Sequence, residues 1–391
     1  MTKLYYPSLS LREGNWFKLI CGASFQNLPA VRNLTLAYTL AGADCIDLAA
    51  DPVVIAAAQE ALKVATNLAS VAQARGFGFR CRPWLMASLN DGEDPHFRKA
   101  GFDPDLCPRA CPRPCENICP AQAIVFQNTA DGFSGVIDSS CYGCGRCLPV
   151  CPSQLIYTRS YVSAPTAITG LIVKAGVDAL EIHTKVGNLQ DFQRLWKAIA
   201  PYVDQLKLIA ISCPDSDGLI DYLQAIYKFI APLPCPLVWQ MDGRPMSGDI
   251  GKGATNAAVK LSQKVLKARL PGYVQLAGGT NNYTVSKLIA AGLLNHVGLE
   301  NSHFKPSMHE QKLYIAGVAY GSYARVLLSP ILEKLEPANG EALDTNRALS
   351  PNSVCRNLEE FPHLLWEAVA SAHGLVSQLK LTKNLPPTIP E

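Results

Sequence analysis

Short apolar runs recur along the chain, separated by longer stretches in which apolar residues return every three or four positions. Eight of these runs stand out: FKLICGASF (17–25), DCIDLAA (44–50), FGFRCRPWLMAS (77–88), VDALEIHT (177–184), LKLIAISC (206–213), PLVWQMDG (236–243), YVQLAGGT (273–280) and LYIAGVAYG (313–321). A strand with one wet face alternates apolar and polar residues, whereas a strand covered on both faces stays nearly continuously apolar, as these do. The stretches between them predict helices, among them Pro52 to about Arg75, 165–175 and Leu219 to Ile230. Eight strands alternating with helices predict an α/β fold, a (β/α)8 TIM-like barrel. A doubly wound open sheet reads similarly. The count of eight, and the polar and glycine residues gathered at the C-terminal strand ends, favour the barrel.

The rhythm breaks after the third run. Prolines at 104, 108, 112, 114, 120, 149 and 152 forbid a long helix and force the backbone into turns. The organisation expected is therefore a first barrel part at 1–99, an insert at 100–158, a second barrel part at 159–330 and a C-terminal helical extension at 331–391. Within that extension one amphipathic helix is expected, from about Asn357 to Leu379.

Composition narrows the setting. With 391 residues, 48% of them hydrophobic and 17% charged, the chain can bury a large core. A net charge of +3, spread without a polybasic run, does not suit a nucleic-acid surface. No apolar run approaches the roughly 18 residues of a membrane helix, and the N-terminus lacks the features of a signal peptide. The expected location is the cytoplasm. In that reducing compartment a dense group of cysteines reads as a metal site before it reads as a disulfide framework.

Of fourteen cysteines, eight fall in two groups, CPRACPRPCENICP (107–120) and CYGCGRCLPVCP (141–152). Thiolates suit zinc or iron-sulfur clusters, and eight of them could hold two tetrahedral zincs. The spacing favours clusters. Cys141, Cys144, Cys147 and Cys151 followed by Pro152 reproduce the bacterial ferredoxin run C-x2-C-x2-C-x3-C-P, in which the fourth cysteine ligates the other cluster. The first group departs from it, since Cys107, Cys111, Cys115 and Cys119 are each separated by three residues. Its distal half, Cys115, Cys119 and Pro120 followed by AQAI, still resembles the ferredoxin pattern. The expected assignment is Cys107, Cys111, Cys115 and Cys151 on one [4Fe-4S] cluster, with Cys119, Cys141, Cys144 and Cys147 on a second, in a ferredoxin-like insert. Strands IVF and VID would flank the intervening loop and deliver Cys141. The radical-SAM spacing C-x3-C-x2-C is absent from the sequence.

Barrel enzymes place chemistry at the C-terminal strand ends. Glu181 and His183 share one face of their strand, and Asp242 with Arg244 marks the most polar loop, so these four residues are the candidate barrel pocket. A histidine in such a strand is also a common hydrogen-bonded interior group. Cys21 and Cys213 lie near strand ends, but no paired base can be named for either. The glycine stretches GGTNN, from Gly278, and GVAYGSYAR (317–325) read first as turns and second as a phosphate cradle for a flavin.

The cysteine motifs, set between FRCRPWLMASLNDG and the stretches ALEIHTKVG and VWQMDGRPMSGDIGKGAT, resemble the cyanobacterial light-dependent period (LdpA) family over nearly the whole chain. The resemblance implies two iron-sulfur clusters, a relay of light-dependent redox state to the circadian clock, and association with a clock-input kinase and other clock proteins. Two functions then compete. One is a redox sensor that partners read; the other is a ferredoxin-type oxidoreductase passing electrons to a flavin or substrate in the barrel. The resemblance favours the sensor over the catalyst.

Overall fold

Every one of the eight apolar runs supplies a strand. A computed structural model describes residues 7–22, 28–92, 98–119, 122–126, 132–137, 141, 147–160, 165–244, 251, 253–295, 313–335 and 357–381. Strands β1 (Trp16–Gly22), β2 (Cys45–Ala49), β3 (Trp84–Asn90), β4 (Ala179–His183), β5 (Leu208–Pro214), β6 (Leu237–Asp242), β7 (Tyr273–Ala277) and β8 (Gly317–Tyr320) pair in parallel. They close in the order β1-β8-β7-β6-β5-β4-β3-β2, a complete barrel rather than an open sheet. Closure brings Trp16 of β1 opposite Gly317 of β8, and there a Cβ would stand 2.4 Å from the Trp16 carbonyl oxygen. Only glycine fits that approach.

The third strand starts later than its apolar run. Pro83 has no N–H for a ladder, and the segment before it packs elsewhere. Phe77 stacks on Trp366 at 5.9 Å, with the Arg75 guanidinium 4.6 Å from the same ring.

The jacket comprises α1 (Pro7–Glu13), α2 (Leu28–Ala41), α3 (Pro52–Ala74), α4 (Pro165–Lys174), α5 (Leu189–Ile199), α6 (Leu219–Ile230), α7 (Thr255–Lys267), α8 (Thr284–Ala290), α9 (Ser322–Leu332) and α10 (Pro362–Leu381). Asp51 caps α3, its carboxylate accepting from the Val53 N–H at 2.8 Å, and Pro52 occupies the first helical position, where no N–H is needed. Helix α10 is part of the main core. It packs on α2 and α9 through buried Leu365, Ala368, Val369, Ala372, Leu375, Val376 and Leu379. Lys380 Nζ adds ion-pair contact with Asp44 at 2.5 Å. Among the described residues no helix is long and apolar enough to cross a membrane.

Strand pleating divides the apolar residues into two cores. Outward-facing residues meet the helices in one continuous cluster. Inward-facing Trp16, Cys45, Met86, Ala179, Leu208, Ala210, Val238 and Ala316, packed against Trp84 and Tyr273, form a dry floor at the N-terminal end of the barrel. Above that floor the interior turns polar.

Candidate iron-sulfur centre and polar barrel interior

The cysteine segment lies between β3 and α4, so it leaves the barrel from the C-terminal face. Asp91, the first residue after β3, is fastened to the rim: its N–H donates to the His183 carbonyl at 3.2 Å, and its carboxylate accepts from Asn188 Nδ2 at 3.2 Å and from Thr184 Oγ1. Residues Arg98–Gly101 then pair antiparallel with Tyr157–Ser160, which makes a two-stranded neck. Beyond it a second ribbon pairs Ile124–Phe126 with Ser134–Val136. That ribbon begins two residues earlier than the expected VID strand, and Asp138 lies outside the described residues.

The insert has its own small core of Ala100, Cys115, Ala123, Ile124, Phe126, Cys141, Cys147 and Ile156, against which Cys107, Cys119 and Cys151 pack. The sulfurs thus collect inside. Prolines make the turns that present them: Cys107 N–H donates to the Pro104 carbonyl at 3.1 Å and Cys111 N–H to that of Pro108 at 2.9 Å. Pro114 starts a short helix, Pro114–Ile118, that carries Cys115, and Cys147 opens another, Cys147–Val150.

The thiols of Cys107, Cys115 and Cys151 bear on one another's ionisation. Burial pushes the Cys107 thiol up, and Cys111 and then Cys151 add to the shift while Arg113 opposes it. Cys115 is likewise raised by burial, with Cys151 and Cys107 adding to it. Cys151 departs in the other direction. Burial opposes ionisation, but the N–H groups of Leu155, Ile156, Ser153 and Gln154 hold its thiol below the ordinary range. Cys119 Sγ accepts from the Ala123 N–H at 3.2 Å. The donor set fits an iron-sulfur centre, which wants soft thiolates with backbone N–H groups around them. Cys107, Cys111, Cys115 and Cys151 are all described, and among the described residues no group of three or more His, Cys, Asp or Glu side chains is placed to hold a metal ion. Cys144, Gly143, Gly145 and Arg146 lie outside the described residues.

The barrel interior holds the second group of chemical side chains. Lys18 on β1 is fully buried, and its ammonium meets Asp47 Oδ2 at 2.9 Å, Gln240 Oε1 at 2.8 Å and the Glu181 carboxylate. Glu181 Oε1 also contacts His183 Nε2 at 3.0 Å and accepts from Gln240 Nε2 at 2.7 Å. Gln275 Nε2 donates to Gln240 Oε1 at 2.7 Å, Ser88 Oγ to Asp47 Oδ1 at 2.7 Å, and Ser212 Oγ to Asp242. Seven strands contribute to the network.

A profile for the light dependent period A C-terminal domain matches residues 171–378, and one for the LdpA Fe-S cluster-binding domain matches residues 107–162. The curated protein light dependent period A of Synechococcus elongatus is 44% identical over 375 residues, covering 96% of this chain and 94% of that protein. The chain belongs to the light dependent period A family. All eight cysteines of the two groups fall inside the residues that match the family's cluster-binding domain, which supports an iron-sulfur cofactor there.

Of the four barrel positions singled out by sequence, this LdpA-family barrel brings Glu181, His183 and Asp242 into one network, while Arg244 lies exposed on the loop beyond β6. Cys21 and Cys213 are buried, and burial pushes both thiols up to about 12, so neither is poised as a nucleophile. Sequence reasoning missed Lys18, Gln240 and Gln275. The signal was present as period-two polar residues inside otherwise apolar strands, K in WFKLICG and the two glutamines in LVWQMD and YVQLA.

Charges in the network are mutually set. Burial opposes ionisation of Glu181, but Lys18 and His183 outweigh it and hold this carboxyl well below the usual carboxylate range. Burial pulls the His183 imidazolium down, yet the hydrogen bond and charge of Glu181, with Asp242 and Asp47 behind, raise it to about 9. Asp242 is pushed up to about 6, first by burial and then by Glu181, against the pull of His183. Desolvating each such ion costs several kcal/mol, so a barrel that needed only stability would fill these positions with apolar side chains.

Proposed function

We propose that this chain is an iron-sulfur redox sensor acting in circadian period control, as the name of its curated relative suggests. In this reading the ferredoxin-like segment 100–158 holds two [4Fe-4S] clusters, one on Cys107, Cys111, Cys115 and Cys151 and the other on Cys119, Cys141, Cys144 and Cys147. What supports it is the cysteine spacing within the residues that match the family's cluster-binding domain, together with the packing of Cys107, Cys115 and Cys151 in one small core. A bound cluster supplies reversible one-electron transfer. The chain's own residues supply thiolates, the four N–H groups around Cys151 that favour its ionised form, and Arg113 beside Cys107 to offset negative charge.

The neck is the element through which the barrel and its partners would read the cluster state. It joins the insert to Asp91, and through Asp91 to Thr184, Asn188 and the His183 backbone. The partners in this reading are clock proteins, including a clock-input kinase, met in the cytoplasm. The test is the visible spectrum and iron content of protein purified without oxygen, before and after dithionite, followed by limited proteolysis in both states. Broad brown absorption that bleaches, near eight irons per chain for two cubanes (about four each), and redox-dependent cutting near the neck are expected. A colourless zinc protein would overturn the cluster reading; identical cutting in both states would overturn the relay. Structured flavin bands beneath the cluster absorption would favour the oxidoreductase.

A further inference from the structure

The polar half of the barrel contains none of the eight grouped cysteines, and its hydrogen bonds run from the buried Lys18 through Glu181 to the part-exposed His183. Lys18 gives its three protons to Asp47, Gln240 and Glu181, so its ammonium braces the carboxylates and has nothing left for a ligand. Glu181 in turn holds His183 by Nε2. Nδ1 of His183 bonds to no described residue, and the side chain is 32% exposed at the mouth.

Asn90 stands beside His183 in strand register and faces the same interior. Its Oδ1 accepts from the Gly92 N–H at 3.2 Å, but its Nδ2 is buried with no hydrogen-bond partner among the described residues. A buried donor left unpaired in a native fold calls for an explanation, and a ligand is one. Asp242 acts on the charge of His183 from β6, and among the described residues its Oδ1 is met only by a long contact from Gln240 Nε2 at 3.5 Å. The mouth therefore offers two adjacent donors and one acceptor. Two cations, Lys18 and His183, stand against the three carboxylates of Asp47, Glu181 and Asp242, so the site carries no net positive charge with which to hold an anion.

We propose that the C-terminal mouth of the barrel binds a small neutral molecule carrying a carbonyl oxygen beside an N–H or O–H group, the oxygen accepting from His183 and Asn90 and the neighbouring group donating to Asp242. Amides, lactams and hydroxyketones have this chemistry. The site shares the C-terminal face with the root of the insert at Asp91, so occupancy and cluster state meet at one rim. The proposal does not depend on what the clusters do.

The test is ligand-observed saturation-transfer NMR on the full-length, cluster-loaded chain, with acetamide, 2-pyrrolidinone and hydroxyacetone as probes and acetate as the charged control. Saturable transfer to the neutral probes is expected, weakened about three- to tenfold in Asn90→Ala, as the loss of one hydrogen bond implies. Asn90→Ala removes the unsatisfied donor together with the acceptor of the part-buried Gly92 N–H, a small loss that is expected to leave the fold intact; Lys334→Ala, on the outer surface, is expected to leave transfer unchanged. Asp242→Leu keeps a similar volume, removes the acceptor and is expected to abolish transfer. No transfer to any neutral probe, transfer to acetate alone, or undiminished transfer in Asn90→Ala would each overturn the proposal.

Discussion

Replacing Lys18 with Met tests whether the interior network is held by one buried cation. Methionine keeps most of the volume and removes the charge, so packing against the floor changes little. What changes is the state of Asp47 and Glu181, both buried and both within ion-pair distance of Nζ in the parent. Breaking a buried pair from one side costs about 3–5 kcal/mol, because the remaining charge is left uncompensated. Protonation limits the damage: neutralising a glutamate of ordinary pKa, about 4.3, takes about 3.7 kcal/mol at pH 7. The expected loss at pH 7 is therefore about 4 kcal/mol.

The pH dependence is the sharper part of this test. In the parent, Glu181 is depressed, so its contribution is present above its unfolded pKa and is lost as pH falls through the folded one. In Lys18→Met the same carboxyl is raised, so the variant gains relative stability as pH falls from 7 toward 4. Urea melts followed by far-UV circular dichroism at pH 7 and pH 5, without oxygen, should show the gap narrowing. Adding Glu181→Gln should recover part of the loss. A deficit under about 1 kcal/mol at pH 7, or one independent of pH, would refute the reasoning.

Other consequences are as direct. Cys115→Ala should remove one cluster and lower iron content by about half, measured by iron assay alongside the visible spectrum; unchanged iron would exclude Cys115 as a ligand. His183 should stay protonated to about pH 9, so its stabilising contribution, complete below the unfolded pKa near 6.5, fades as pH rises toward 9; histidine Cε1–H NMR titration, assigned with His183→Gln, reads the midpoint. Gly243→Ala should destabilise by about 1–3 kcal/mol, because the new Cβ would stand 2.2 Å from the Ala258 N and 2.3 Å from its Cα; a thermal melt equal to the parent's would contradict that packing.

The barrel was legible because both-face burial leaves an unusual mark, nearly unbroken apolar runs at regular spacing. The eight strands form close to where those runs lie, and the largest displacement of a boundary, at Trp84, traces to Pro83 and to the stacking of Phe77 on Trp366, a partner hundreds of residues away in sequence. The C-terminal helix was legible as an amphipathic segment, but its place was not: a hydrophobic stripe states that a face must be buried without stating against what. The structure answers with α2 and α9.

The same division runs through the chemistry. Cysteine spacing is a local property, since ligands within a turn of one another are brought together by the backbone itself, and it alone pointed to a cluster-binding segment. Glu181 and His183 could be placed on one strand face for the same reason. What only the closed barrel decided is that Lys18, Asp47, Glu181, Gln240 and Asp242, from four strands, meet in one water-poor space. There, low dielectric makes each group's charge depend on the others. Tertiary structure also decided that the cysteine insert is rooted on the rim of that space, through Asp91, because β3 ends where β4 carries His183.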